Sequence, residues 1–99
     1  MKKGGSVYIL TNVHDQVLYT GVTSNLVNRI SEHRAGKYDK SFSSRYNVTK
    51  LVYFANFHTI VEAIAEEKRI KGGSRAKKIL LIQSINPEWR DLWEDISKW

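Results

Sequence analysis

The sequence predicts a single layered α/β domain with the element order β-β-α-β-α-α-α. Three observations predict it. The chain has 99 residues, enough for one domain and too few for two. Three short runs are rich in β-branched, aromatic and aliphatic residues, as strands are. Four further segments carry apolar residues at helical spacing, and most are bracketed by capping residues and stops. Residues 1–5 read as a tail and residues 6–99 as the domain.

The first two strands fall at residues 6–11 (Ser-Val-Tyr-Ile-Leu-Thr) and 16–21 (Gln-Val-Leu-Tyr-Thr-Gly). Asn12-Val13-His14-Asp15 lies between them, so the pair reads as a hairpin with a glycine-free turn. Thr23, Ser24 and Asn25 are all good N-caps, and Leu26, Val27 and Ile30 follow at helical spacing. A helix is expected over residues 24–35, stopping near Gly36, with a polar and basic loop over 37–49. Residues 51–58 form the third strand. The second helix runs over 59–71 with Thr59 as its cap and Gly72-Gly73 as its stop. The third begins at Ser74 and ends before Pro87, because the residue before a proline is driven out of the helical region. Trp89, Leu92, Trp93 and Ile96 share i, i+3, i+4, i+7 spacing, which predicts a short terminal helix covering the core.

Composition excludes several classes. There is no cysteine, so neither a disulfide framework nor a Cys-based zinc site is available. No apolar run approaches the roughly 20 residues a membrane span needs. Lys2 and Lys3 are followed by no apolar stretch of signal-peptide length. The expectation is a soluble, cytoplasmic protein. The formal net charge of +6 points to a polyanionic partner. Duplex DNA, with one negative charge per ~1.7 Å of axis, is the natural candidate.

A few polar residues sit where a simple core would not place them. At about 100° per residue, Ile60, Ala63, Ile64, Ile70 and Lys71 fall within one broad face and Glu67 lies inside it, whereas Glu62, Glu66 and Arg69 fall opposite. A carboxylate on an apolar stripe is costly unless it is paired or bound to a cation. A structural salt bridge to Arg or Lys is the alternative. Arg29 and His33, at i and i+4, border the buried stripe of the first helix. Arg suits bidentate phosphate binding, and His suits oxyanion donation or proton movement. Tyr8 and Tyr19 come one from each hairpin strand. A turn centred on Val13-His14 would set them directly opposite each other on one face.

Together these residues form a pattern. Ser6-Val7-Tyr8, followed by Tyr19-Thr20-Gly21, resembles the paired Gly-Ile-Tyr and Tyr-Ile-Gly triplets of the GIY-YIG nucleases. Arg29, ten residues after the second tyrosine, matches the family's catalytic arginine, and His33 follows as it does there. The segment 62–71 is similar to the helix carrying the family's metal-binding glutamate, at Glu67. Asn86-Pro87-Glu88-Trp89 resembles its closing asparagine segment. The resemblance spans residues 6 to about 93 and is nearest to small stand-alone members similar to the UvrC nuclease domain. Ser6 and Thr20 depart from the triplets at positions that carry no chemistry in the family.

The resemblance implies a small three-stranded antiparallel sheet flanked by helices. It also implies a metal-dependent endonuclease acting on DNA, in repair or recombination. Glu67 would hold one divalent ion, Mg²⁺ or Mn²⁺, which is a normal load for one carboxylate plus water and phosphate. Arg29 would neutralise the phosphate, and Tyr8 or Tyr19 would orient or deprotonate the attacking water. His33 would assist, and Asn86 would support the site. A phenol titrating near 10 lies about 3 units above neutrality, so a phenolate base needs a cation beside it. In the loop after the first helix, Tyr38, Phe42 and Tyr46 stand where some relatives carry an extra His or Tyr.

Lys68, Arg69, Lys71, Arg75, Lys77 and Lys78 cluster over two helices, and Lys37, Lys40 and Arg45 add to them from the loop. They read as contacts to the DNA backbone, which position a duplex without reading its sequence. Two rival readings follow. One is a non-catalytic nucleic-acid-binding module with the same fold. The other is an interaction domain that docks a protein partner through exposed Trp89 and Trp93.

Overall fold

The computed structural model describes residues 4–35 and 47–99. Gly36, Lys37, Tyr38, Lys40, Phe42, Arg45 and Tyr46 lie outside the described residues. Among the described residues, three strands and four helices follow in the expected order: β1 (Gly5–Thr11), β2 (Leu18–Thr23), α1 (Leu26–Arg34), β3 (Lys50–Phe57), α2 (Ile60–Lys71), α3 (Arg75–Ile85) and α4 (Trp93–Ile96). The strands form one antiparallel sheet in the order β2-β1-β3.

All seven residues of β1 are buried, because helices cover both faces of the sheet. Alternate side chains of β1 enter different cores. Tyr8 and Leu10 face α1 and α4, packing with Leu26, Ile30, Val48, Leu51, Leu92 and Ile96. Val7 and Ile9 face α2 and α3, packing with Val52, Tyr53, Ala63, Ile70 and Ile82. Each fully buried aliphatic side chain contributes about 1.5–3 kcal/mol.

The hairpin turn is wider than the sequence predicts. Asn12 Oδ1 accepts from Gln16 N at 2.7 Å and from Val17 N at 3.3 Å, which delays the start of β2 to Leu18. Asp15 takes the left-handed conformation (φ 57°) that a glycine-free turn requires and that Asp tolerates. As a result Tyr8 pairs with Gly21 and Leu10 with Tyr19, in place of the expected Tyr8–Tyr19 pair. The slip is two residues, a full side-chain period, so both tyrosines still share one face.

Of the three candidate caps of α1, Asn25 is the one used; its side chain accepts from Asn28 N at 3.1 Å. Thr59 and Glu62 form a reciprocal capping box on α2, and Ser74 caps α3. On α2 the expected buried face is narrower than predicted. Ala63, Glu67 and Ile70 are buried, but Ile64 is 37% exposed.

The terminal aromatic stripe is not one helix. Trp89 sits at φ 57° and packs on the α2–α3 side of the sheet, whereas Leu92 and Ile96 close the α1 side. The chain crosses the sheet's end between them, held by Leu92 N donating to Leu51 O at 2.7 Å and by Asp91 accepting from Leu51 N. Trp89 and Trp93 are both partly buried against the cores, which is packing and not an exposed docking pair. Among the described residues no helix is long and apolar enough to cross a membrane.

Candidate active site

β1, β2 and α1 bring three aromatic rings together. Tyr8 and Tyr19 lie 6.5 Å apart by ring centroid, and His33 stands 5.9 Å from Tyr8 and 5.6 Å from Tyr19, edge-on to both. The Tyr8 hydroxyl and His33 Nε2 share a buried 3.2 Å hydrogen bond. The phenol donates in the Nδ1–H tautomer and accepts in the other. Tyr8 is wholly buried and Tyr19 only partly so.

The room for this arrangement comes from Gly21. A Cβ there would lie 2.4 Å from both Cζ and the hydroxyl oxygen of Tyr8. The close approach of the Tyr8 ring to bare backbone is the physical reason for glycine at the end of the Tyr19-Thr20-Gly21 triplet.

One turn before His33 on α1 stands Arg29, half-exposed, with Nε 3.7 Å from Glu32 Oε1. Burial pushes the His33 imidazole below its ordinary pKa, the Arg29 guanidinium pushes it further down, and Glu32 opposes both. His33 is therefore a neutral imidazole at neutral pH, fit to exchange a proton or hydrogen bond with Tyr8. This shift has a stability consequence. The unfolded chain takes up a proton as pH falls through about 6.5, while the folded protein resists until a lower pH. Stability is thus complete above that value, falls as pH drops through the interval between the two pKa values, and levels off below the folded one. Urea unfolding midpoints measured from about pH 8 down to about pH 5 should show this acid-side loss. His33→Gln should flatten it.

Glu67 lies on α2, the helix that packs against β1 and β2. It is 8% exposed, and its Oε2 is ion-paired to Lys71 Nζ at 2.7 Å. Lys71 in turn lines a hollow of about 320 Å³ together with Leu18, Tyr19, Thr20 and Lys78. Tyr19 thus touches the ring cluster and also borders the Lys71-lined hollow. The i, i+4 spacing of Glu67 and Lys71 was the available signal for their pairing.

Asn86 takes a different place. Its Nδ2 donates to Val52 O at 3.2 Å and to Arg90 O at 2.8 Å, and its Oδ1 accepts from Arg90 N at 3.0 Å. Val52 is the extra residue in β3 where pairing with β1 shifts between Ile9 and Leu10. It has no register partner on β1, and its carbonyl accepts from Asn86. The Asn86 side chain is committed to the backbone, bracing β3 against the end of α3.

Lys68, Lys71, Arg75 and Lys77 are exposed and Lys78 is half-buried, donating to Gly73 O at 3.0 Å. With Arg69, Lys77 and Lys78 also border a second hollow of about 270 Å³ between α2 and α3. Arg69 is held by a bidentate pair with Glu66. Lys37 and Arg45 fall outside the described residues.

A family model for the GIY-YIG catalytic domain matches residues 4–79. The chain is 39% identical over 82 residues to a UPF0213 protein of Syntrophus aciditrophicus, covering 83% of this chain and 92% of that one. It is 45% identical over 78 residues to a UPF0213 protein of Clostridium perfringens, covering 79% and 82%. A UPF0213 protein of Bacillus halodurans, solved in solution by NMR, superposes with a TM-score of 0.57 at 28% identity, covering 89% of this chain and 92% of that one.

Proposed function

This chain belongs to the GIY-YIG catalytic-domain family, and we propose that it is an endonuclease hydrolysing DNA phosphodiester bonds with one divalent cation, Mg²⁺ or Mn²⁺. The observation that carries the reading is the juxtaposition of Tyr8, Tyr19 and His33, with Arg29 on the same helix as His33, beside a hollow rimmed by Lys71 and Lys78.

The donor set fits a hard cation that keeps most of its waters. Among the described residues no three His, Asp or Glu side chains gather as a ligand cage. Glu67 offers a single, nearly buried carboxylate that already holds a cationic partner, Lys71. One carboxylate suffices for an ion completed by water and phosphate. When bound, the ion would polarise the scissile phosphate and stabilise the leaving oxygen.

The chain's own groups divide the remaining work. Arg29 neutralises charge on the phosphate, a preorganised electrostatic role. Tyr19 orients the attacking water or takes its proton, because it is the phenol that borders the open hollow. Tyr8 is wholly buried with its hydroxyl on His33, so this pair positions and relays rather than touching solvent. Asn86 supports the site by fixing β3. Lys68, Lys71, Arg75, Lys77 and Lys78, with Lys37 and Arg45, contact the DNA backbone, which implies weak sequence preference. Such cutting would serve DNA repair or recombination.

The test uses the unaltered protein with supercoiled plasmid. Nicking is expected with Mn²⁺ or Mg²⁺ and none after chelation. Salt-dependent DNA binding with no cutting under either metal would instead identify a non-catalytic binding module.

A further inference from the structure

The Glu67–Lys71 pair has features that stability does not explain. Glu67 is a carboxylate on the buried stripe of α2, flanked by Ala63 and Ile70. Its side chain is 11% exposed and that of Lys71 is 55% exposed. A half-exposed i, i+4 pair shifts the folding equilibrium at most about fivefold. Withdrawing a carboxylate from water costs more than that unless several partners satisfy it. An apolar residue at 67 would therefore serve the core better. Lys71 also does not point away into solvent from the end of the helix. Its ammonium stands against the carboxylate, and its side chain borders the hollow shared with Tyr19 and Lys78.

We propose that Lys71 is a placeholder cation: its ammonium neutralises Glu67 until a divalent ion takes the carboxylate, and is then released to the hollow beside β2. This rests on the reading of Glu67 as the metal ligand. The physical reason is charge bookkeeping at a buried site. A carboxylate with little water around it needs a positive neighbour at all times. A lysine on a flexible stem supplies one that can leave, because the ammonium is a compact charge with several rotatable bonds. The ion and the ammonium then compete for one carboxylate. Metal binding is weakened by the lysine, and the empty site is spared an uncompensated charge.

The experiment measures Mn²⁺ affinity without DNA, by the loss of the free-ion electron paramagnetic resonance signal on titration. Circular dichroism checks that each variant is folded. Lys71→Met keeps the stem and removes the charge. It should bind Mn²⁺ about fivefold more tightly than the unaltered protein, the upper end of what a half-exposed pair gives. Glu67→Gln should abolish specific binding. Lys98→Met, which removes an exposed charge elsewhere, should leave affinity unchanged.

If Lys71→Met leaves affinity unchanged or weakens it while Glu67→Gln abolishes it, the placeholder role is overturned and the metal ligand stands. An equal gain in Lys98→Met also overturns it, since net charge alone would account for the effect. Undiminished Mn²⁺ binding in Glu67→Gln overturns the ligand assignment itself.

Discussion

Glu67→Gln is expected to lower metal-supported DNA cleavage about a hundred- to a thousandfold, the loss typical when one preorganised electrostatic contact is removed from a transition state. The carboxamide keeps the shape of the carboxylate, so α2 and its packing through Ala63 and Ile70 should survive. The lost Lys71 pair is half-exposed and costs at most about 1 kcal/mol. DNA affinity should stay near that of the unaltered protein, because the lysines rimming the hollow and the exposed face of α3 remain. Single-turnover nicking of supercoiled plasmid, with filter binding and circular dichroism in parallel, separates these effects. Unchanged nicking would remove Glu67 from the reaction. A parallel loss of helicity would make it a structural residue instead.

Gly21→Ala is expected to destabilise the domain strongly, because it adds a methyl to β2 where the Tyr8 ring already fills the space. The added Cβ would lie 2.4 Å from the Tyr8 ring and hydroxyl. Tyr8 is wholly buried, with neighbours on both sides and its hydroxyl on His33, so the ring cannot simply swing away. Overpacking of this kind costs about 2–3 kcal/mol, or about 10 °C or more in melting temperature for a domain of this size. The Tyr8–His33 hydrogen bond should break as the ring moves, so cleavage should fall further than the stability loss accounts for. Thermal melts and nicking rates compared well below the melting temperature check both. A melting temperature equal to that of the unaltered protein would show that the strand relaxes around the methyl.

Much of this was written locally in the chain. Thr59 and Ser74 mark helix starts because each side chain satisfies amide groups three residues on, a contact that needs no tertiary partner. The element order follows from periodicity, and the shared face of Tyr8 and Tyr19 survived a misplaced turn because the slip equalled one side-chain period. Glu67 stood out because a charge at helical spacing among Ala63 and Ile70 conflicts with burial.

Other features arise only when distant segments meet. Trp89 has helical spacing to Trp93, yet the left-handed turn at Trp89 sends it to the opposite face of the sheet. Asn86 reads as a supporting residue in a motif, but what it holds, the Val52 carbonyl at the β3 irregularity, is set only when β1 and β3 pair. Burial of Tyr8 against Gly21 distinguishes the two phenols, and that depends on β1 lying in the middle of the sheet with helices on both sides. Short-range periodicity and caps act within a few residues and are carried by the chain itself. The pairing register, the accounting of freed carbonyls and the exposure of each tyrosine depend on contacts tens of residues apart, which exist only once the layers have packed.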